Sequence, residues 1–202
     1  MTDWPGWIVG VDAGGTHTRV AAAPAADRLF RLGHGGGANW TVHGPEVCRE
    51  RITSAIAQAV PPGEPLAALS LAVAGYYHPD HGEAAAAWAA ECWPDVPVRV
   101  IPDVEAAHAG AFAGEGGLVI VSGTGSICYG ANSRGQSARA GGWGPLFSDE
   151  GSAYTVGLGV LRCLARQVDR SAPRSPLAEH MMQVFPELGD TLSHWIRGVY
   201  RH

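Results

Sequence analysis

Residues 7–23 read WIVGVDAGGTHTRVAAA, which is two apolar segments separated by a pair of glycines. The segments 7–12 and 18–23 predict β-strands, and Gly14-Gly15 predicts a tight turn between them. Residues 28–32, RLFRL, predict a third strand. We therefore expect the chain to open with an antiparallel meander.

The next part of the chain alternates between helix and strand patterns. Apolar spacing or Ala-rich composition predicts helices over 45–60, 83–92 and 104–112, and short apolar runs predict strands over 66–73 and 98–101. The first of these two runs is almost continuously apolar, as is typical of a buried parallel strand. This alternation predicts a layered α/β domain.

The pattern of strand, glycine turn and strand occurs a second time. Leu118–Ser122 and Ile127–Ala131 predict strands on either side of Gly123-Thr124-Gly125. The glycine-rich segment 114–117 comes just before them and predicts a domain boundary. The two halves of the chain therefore have related openings.

We accordingly divide the chain into an N-terminal domain, residues 1–113, and the first part of a second domain, residues 114–202. In the second part, the sequence predicts a strand near 136–140, a helix over 152–168 and one or two short helices after Pro176. Because so few strands are predicted there, we expect the second domain to be incomplete.

The composition excludes several classes of protein. The chain has 202 residues, of which 46% are hydrophobic and 16% charged, so it can bury a sizeable core. Its net charge is −5, and no run of like charges predicts a nucleic-acid or membrane-surface partner. All 14 basic residues are Arg, which excludes a P-loop and Schiff-base chemistry. Any phosphate must therefore be bound by backbone, metal or Arg.

The four cysteines, Cys48, Cys92, Cys128 and Cys163, are widely spaced and form no CxxC pair or metal-ligand pattern. We interpret them as reduced thiols. Asp3 lies where a secretory signal needs positive charge, and the uncharged stretch from Leu66 to Pro79 is interrupted by Ser, Gly and His. These features predict a cytoplasmic protein.

Two glycine turns are candidate phosphate sites: the first glycine turn, residues 14–18, and the second glycine turn, residues 122–126. Small residues leave backbone N–H groups and hydroxyls accessible to an anion, although one such turn alone is more often a plain hairpin. The candidate phosphate-binding residues are Gly14, Gly15, Thr16, Gly123, Thr124 and Gly125. Without Lys, phosphates need a divalent cation, and Asp12 at a strand end is a candidate ligand for hydrated Mg²⁺.

Three motifs together resemble a known family. VDAGGTHT at 11–18, SGTGS at 122–126 and GGWGPLFSDEGSAY at 141–154 resemble the acetate and sugar kinase and actin superfamily. The third motif is most similar to the branch of the BadF/BadG/BcrA/BcrD ATPase family that contains N-acetylglucosamine and glucosamine kinases. The resemblance implies two ribonuclease H-like domains of the actin-type ATPase fold, which bind ATP, Mg²⁺ and a sugar.

Asp103 follows the apolar segment VRVI and precedes a predicted helix. On sequence alone, an Asp at this position is about as often a helix N-cap as a functional residue. In the kinases that the chain resembles, the Asp of this motif accepts the proton of the sugar hydroxyl that attacks the γ-phosphate. The resemblance therefore implies that Asp103 is catalytic.

The resemblance also implies residues that bind the sugar. Asn39 and Trp40 follow a glycine run that is otherwise a simple linker. Trp143, between two glycines, is either a packed core residue or a ring that stacks on a sugar. Asp149 either caps the helix after it or accepts a sugar hydroxyl. Ser126 serves the phosphate, the sugar or only the turn.

The main functional prediction is ATP-dependent phosphorylation of N-acetylglucosamine or glucosamine. One alternative is an ATPase that activates a dehydratase or reductase, although that branch uses cysteines to hold an iron–sulfur cluster and the cysteines here are scattered. Another is a truncated, non-catalytic fragment that binds sugar, since members of the family are longer and carry their adenine-binding motif beyond residue 202. Incompletely covered apolar faces would favour a homodimer.

Overall fold

A computed structural model of the protein describes residues 5–25, 29–76, 79–173, 175–185, 194, 196 and 197. Within them, the strands are β1 (Trp7–Ala13), β2 (His17–Pro24), β3 (Arg31–Gly36), β4 (Leu66–Val73), β5 (Val98–Pro102), β6 (Gly117–Ser122), β7 (Ser126–Ala131) and β8 (Ser137–Gly141). The helices are α1 (Trp40–His43), α2 (Pro45–Ala59), α3 (Pro79–Cys92), α4 (Asp103–Phe112), α5 (Ala153–Val168) and α6 (Pro176–Val184). This order of elements confirms the predicted α/β class.

The first five strands form one sheet in the order β3-β2-β1-β4-β5. β2 lies antiparallel to both β1 and β3, which confirms the predicted meander. β4 lies parallel to β1 and to β5, which confirms the predicted parallel strand. Because β3 runs in the same direction as β1, the carboxyl ends of β1, β3, β4 and β5 lie at one edge of the sheet. In open α/β sheets this is the edge where ligands bind.

One face of this sheet carries the main hydrophobic core. Side chains along β1 alternate between buried and exposed, as expected for a strand with one covered face. Helices α2 and α3 contribute apolar residues to the same core, namely Cys48, Ile52, Ala55, Ile56, Ala59, Ala85, Trp88 and Ala89. Helix α2 ends at Ala59, just before Pro61-Pro62, since proline cannot continue a helix.

The chain divides into two compact units. The first comprises Met1–Ile120 and Cys128–Ala140, and the second comprises Val121–Ile127 and Gly141–His202. Strands β6, β7 and β8 form a three-stranded sheet in that order. Helices α5 and α6 of the second unit share a small apolar cluster of Val160, Leu161, Cys163, Leu164 and Met181. The predicted domain division after residue 113 stays a prediction.

The third strand lies further along the chain than the sequence predicts. β3 spans Arg31–Gly36 rather than residues 28–32, so the predicted bounds are wrong. β3 is rich in glycine, which disfavours strands. It is a strand nonetheless because α2 packs closely on it: a Cβ on Gly33 would lie 1.9 Å from the carbonyl oxygen of Ala55. Close helix packing therefore requires glycine here and overrides strand propensity.

Some sequence predictions concern residues outside the described part of the chain. They are the interpretation of Asp3, any second helix beyond α6 and the region around residue 202. Helix α6 itself confirms one short helix after Pro176. Of the helices that the structure describes, none combines the length and the apolar composition needed to cross a bilayer.

Candidate active site

Two carboxylates lie at the carboxyl edge of the five-stranded sheet. Asp12 is near the end of β1, and Asp103 directly follows β5. Asp12 is about half exposed. One of its carboxylate oxygens lies 3.6 Å from the guanidinium of Arg19, the residue paired with it on the neighbouring strand β2. The sheet therefore brings together two acidic residues that are far apart in sequence.

The carboxyl group of Asp103 is held at the start of α4. The helix begins at Asp103 itself, with Pro102 at the N-cap, so the alternative interpretation of Asp103 as the N-cap residue is wrong by one position. One carboxylate oxygen accepts a hydrogen bond of 2.9 Å from the backbone N–H of Val104. Burial raises the pKa of Asp103, the bond from Val104 opposes that shift, and the negative charge of Asp12 adds to it. A carboxylate with a raised pKa is a better proton acceptor.

The first glycine turn is held by backbone hydrogen bonds. Gly14 N–H donates to the carbonyl of His17, which closes the turn at 2.9 Å. Ala38 N–H donates to the carbonyl of Gly14, also at 2.9 Å. A Cβ on Gly37 would lie only 2.1 Å from the carbonyl oxygen of Gly15, so the two backbones are in direct contact. The segment that follows β3 thus supports the turn that follows β1.

Asn39 is the N-cap of helix α1. Its side-chain oxygen accepts hydrogen bonds from the N–H groups of Thr41, at 2.9 Å, and Val42, at 3.2 Å. The loop after β4 lies against this cap, since a Cβ on Gly75 would be 2.8 Å from the same side-chain oxygen. With the oxygen engaged, the side-chain amide of Asn39 is the group that can donate to a ligand.

Trp40 belongs to the core. Its side chain is 2% exposed, and its ring packs on Trp88 with centroids 6.0 Å apart. Its backbone N–H donates to the carbonyl of Ala74 at 3.0 Å. This position gives no support to the predicted contact between Trp40 and a sugar, and it explains the residue as an anchor for the Asn39 loop.

The second glycine turn is held largely by side chains of the second unit. Ser122 Oγ donates to the carbonyl of Gly151 and Ser126 Oγ to that of Glu150, both at 2.9 Å. Ala153 N–H, at the start of α5, donates to the carbonyl of Gly123 at 2.8 Å. The turn is therefore joined to the loop and the helix that follow it in the GGWGPLFSDEGSAY motif.

Asp149 lies at the centre of this contact. Its side chain is buried, at 6% exposure, and one carboxylate oxygen accepts a bond of 3.1 Å from Ser126 N–H. A Cβ on Gly125 would lie 2.9 Å from the other oxygen. Asp149 has a φ of 68°, an unusual left-handed conformation for a residue other than glycine. Such strain is often found at functional sites.

Trp143 is 65% exposed, which is not the packed core alternative considered from the sequence. Its loop turns through Gly141 and Gly142, which have φ values of 75° and 70°. Leu146 and Phe147 of the same loop are also exposed. The ring of Trp143 is thus placed where a ligand can reach it.

The described residues fit a hydrated Mg²⁺ better than a fully protein-bound metal. Among them there is no group of three or more His, Cys, Asp or Glu side chains able to hold a metal ion. Mg²⁺ usually keeps several waters and is bound by one or two carboxylates and by substrate phosphates. Asp12, half exposed beside the first glycine turn, is a suitable carboxylate.

Four residues of this region were not singled out from the sequence: Gly37, Ala38, Arg51 and Gly75. Ala38 and the two glycines act through their backbones, so their residue types give little signal. The glycine run 35–37 is visible in the sequence, but its purpose is not, because the approach of α2 and of the first glycine turn is a tertiary contact. The same holds for Arg51, whose guanidinium donates to the carbonyl of Gly37.

Comparison with known proteins identifies the family of the chain. Residues 9–194 match the BadF/BadG/BcrA/BcrD ATPase family, and the chain belongs to that family.

Several relatives have names that specify a reaction. The chain is 41% identical over 80 residues to the N-acetylmuramic acid/N-acetylglucosamine kinase of Clostridium acetobutylicum, a match covering 40% of this chain and 26% of that protein. It is 42% identical over 67 residues to the N-acetyl-D-glucosamine kinase of Dictyostelium discoideum, covering 33% and 21%. It is 29% identical over 195 residues to the glucosamine kinase GspK of Vibrio cholerae, covering 94% and 65%. The chain thus spans less than two thirds of the length of each.

Solved structures show the same fold. A protein from Chromobacterium violaceum, described as an N-acetylglucosamine kinase, superimposes with a TM-score of 0.79 at 23% identity, covering 98% of this chain and 69% of that one. A protein of the same description from Porphyromonas gingivalis gives 0.71 at 24% identity, covering 96% and 66%. These similarities confirm the predicted ribonuclease H-like, actin-type ATPase fold.

Proposed function

We propose that the protein transfers the γ-phosphate of ATP to a hydroxyl of an amino sugar, either N-acetylglucosamine or glucosamine. The observation that carries this proposal is Asp103, a half-buried carboxylate with a raised pKa at the carboxyl edge of the sheet. Membership of an ATPase family supports the use of ATP. The kinase names of the three relatives support the choice of an amino sugar.

In the proposed reaction, Asp103 is the general base. Its carboxylate accepts the hydroxyl proton while the sugar oxygen bonds to the γ-phosphorus, and the bond between that phosphorus and the β,γ-bridging oxygen breaks to leave ADP. The bond from Val104 N–H fixes the carboxylate at the end of a strand, which favours a constant distance to the acceptor.

The other candidate residues bind the substrates. In the first glycine turn, Gly14 N–H already donates to His17, so the turn's other backbone N–H groups are the proposed donors to phosphate oxygens. The backbone N–H groups of the second glycine turn are separate candidates for the same role. Asp12 holds hydrated Mg²⁺, which when bound neutralises phosphate charge.

In the first unit, the side-chain NH2 group of Asn39 is a proposed donor to a sugar hydroxyl. In the second unit, the exposed ring of Trp143 is a separate candidate for stacking on a sugar. Asp149 and Ser126 are further candidate sugar contacts. Trp40, buried in the core, supports the loop that carries Asn39.

We further propose that each chain has the two domains predicted from the sequence, and that two chains form a homodimer that works in the cytoplasm. Exposed apolar side chains, among them Ile120 and Leu118, favour self-association, which sedimentation equilibrium tests. None of the four cysteines, all within the described residues, is in a disulfide, in keeping with a reducing compartment.

The test measures ADP release by the purified chain with MgATP and glucosamine, N-acetylglucosamine, glucose, N-acetylmuramic acid or no sugar. We expect release that depends on an amino sugar and falls about 10²- to 10⁴-fold in Asp103→Asn, the usual contribution of a general base. Asp95→Asn, in an exposed turn, is the matched control. Release without sugar would instead support the ATPase activator, and sugar binding without any release would support a non-catalytic fragment.

A further inference from the structure

Arg51 of helix α2 reaches the segment that supports the first glycine turn. Its guanidinium donates to the carbonyl of Gly37. The same group packs against Gly36, where a Cβ would lie 3.4 Å from two guanidinium atoms. The guanidinium therefore lies close to Gly36, and the side chain of Arg51 is half-buried.

The contacts of Gly37 and of the two residues after it lead to both sides of the candidate site. Ala38 N–H, fully buried, donates to the carbonyl of Gly14 in the first glycine turn. Asn39 comes next and presents the candidate sugar contact. A hydrogen bond from a charged donor to a partly buried carbonyl is stronger than a neutral one. The Arg51 guanidinium thus restrains a short segment, residues 37–39, that contacts the first glycine turn and carries the side-chain amide of Asn39.

The charge of Arg51 also acts on the core side of α2. Burial raises the pKa of the Cys48 thiol to about 11, and the positive charge of Arg51 opposes that shift. The guanidinium therefore acts electrostatically on Cys48, three residues earlier on α2, as well as contacting the loop.

We propose that Arg51 is a positioning residue that fixes the first glycine turn and Asn39 relative to each other through Gly37 and Ala38. Its kinetic consequence rests on the proposed kinase function, whereas its structural consequence does not. The two can therefore fail separately.

The structural test is hydrogen exchange of the Ala38 amide in the full chain. We expect exchange to become about tenfold faster or more in Arg51→Met, because the carbonyl next to that amide loses a charged donor. Arg51→Lys, which retains a donor, should restore part of the protection. Arg134→Met, in the exposed turn between β7 and β8, is the control and should leave Ala38 unchanged. Unchanged Ala38 protection in Arg51→Met would overturn the proposal, whether or not the protein phosphorylates a sugar.

The kinetic test compares the two substrates. We expect Arg51→Met to raise the KM for MgATP and for the sugar together by about tenfold, since both sides of the site lose their common restraint, with partial recovery in Arg51→Lys. A rise for MgATP alone, with Ala38 still protected, would mean that Arg51 binds phosphate directly and would overturn the positioning role. If no variant or wild-type protein releases ADP, the proposed function fails and the exchange result still decides the proposal.

Discussion

The two glycine turns look alike in sequence but are held in different ways. The first is contacted mainly by other backbone, through the bond from Ala38 to Gly14 and the contact between Gly37 and Gly15, although the Thr18 hydroxyl also donates to the carbonyl of Gly36. The second is supported mainly by side chains, those of Ser122, Ser126 and Asp149, although one backbone bond from α5 also reaches it. A similar loop can thus be fixed mainly by main chain in one unit and mainly by polar side chains in the other.

This difference determines which substitutions each turn tolerates. Where backbone contacts backbone, no flexible side chain can move aside for an added methyl group, so the whole loop must move. Where backbone meets a side chain, the opposing group can be shortened by a second substitution. We therefore expect the first glycine turn to be rigid and to tolerate added side chains poorly. At the second glycine turn, a second substitution in the opposing side chain should relieve the effect of the first.

The largest effect is expected from Gly37→Ala. Its Cβ would lie 2.1 Å from the carbonyl oxygen and 2.7 Å from the carbonyl carbon of Gly15. We expect a loss of about 3 kcal/mol in the free energy of unfolding, at the upper end of typical overpacking costs. Urea unfolding followed by circular dichroism measures it.

Gly110→Ala, within helix α4, is the control for that substitution. No atom lies within 4 Å of a Cβ there, and alanine favours a helix by about 1 kcal/mol over glycine. The variant should be slightly more stable than the wild type. Equal stability of Gly37→Ala and the wild type would contradict the backbone contact at the first glycine turn.

A smaller effect is expected at the second glycine turn, from Gly125→Ala and Asp149→Ala. A Cβ added at Gly125 would lie 2.9 Å from the Asp149 carboxylate, an overlap worth about 1–2 kcal/mol. Removing the Asp149 carboxylate leaves the N–H of Ser126 without its acceptor, at a cost of about 1–3 kcal/mol. In the double variant the overlap disappears, so we expect it to be about 1 kcal/mol more stable than the sum of the single effects predicts.

The control here is Gly159→Ala in α5, where a Cβ would meet nothing within 4 Å. Combined with Asp149→Ala, it should be strictly additive. If the Gly125 and Asp149 effects also add, the carboxylate does not hold the turn, and the proposed contrast between backbone and side-chain support is lost.

The sequence predicts the fold well where a segment's local residue pattern determines its structure, and poorly where tertiary contacts determine it. The bounds of β4 and the end of α2 follow from an apolar run and from Pro61-Pro62. The strand β3 was misplaced because its glycines oppose strand propensity and are explained only by the approach of α2. The four-residue helix α1 was missed because it depends on a single cap, Asn39, inside a segment that resembles a linker.

The candidate site divides in the same way. The sequence identified residues with distinctive side chains, such as Asp12 and Asp103, because carboxylates after apolar strands are informative. It could not identify Ala38, whose contribution is a backbone N–H group, or Gly75, whose lack of a side chain lets the loop after β4 approach Asn39. It also did not distinguish Trp40 from Trp143, since burial of one and exposure of the other come from packing.

The smallest predicted effect is a change in pH dependence that belongs to the first unit alone. Burial of Asp103, and secondarily the charge of Asp12, hold its pKa above the ordinary value of 3.8 despite the bond from Val104. A raised acid pKa favours the protonated form in the folded state, so this group's stabilising contribution is complete below the ordinary pKa and is lost as the pH rises through the folded pKa. Asp103→Asn, neutral at every pH, should therefore be more stable than the wild type at pH 7, and the difference should disappear under acid conditions.

The measurement is the free energy of unfolding in urea at a series of pH values, for wild type, Asp103→Asn and Asp12→Asn. Asp12→Asn removes a negative charge near Asp103 but also the carboxylate beside Arg19, so its effect at pH 7 should be smaller than that of Asp103→Asn, for which burial is the larger cause. A catalytic residue that lowers the free energy of unfolding is expected at a functional site. Asp103→Asn less stable than the wild type at pH 7 would mean that the carboxylate serves the helix start rather than chemistry, and Asp103 would then lose its physical basis as the base.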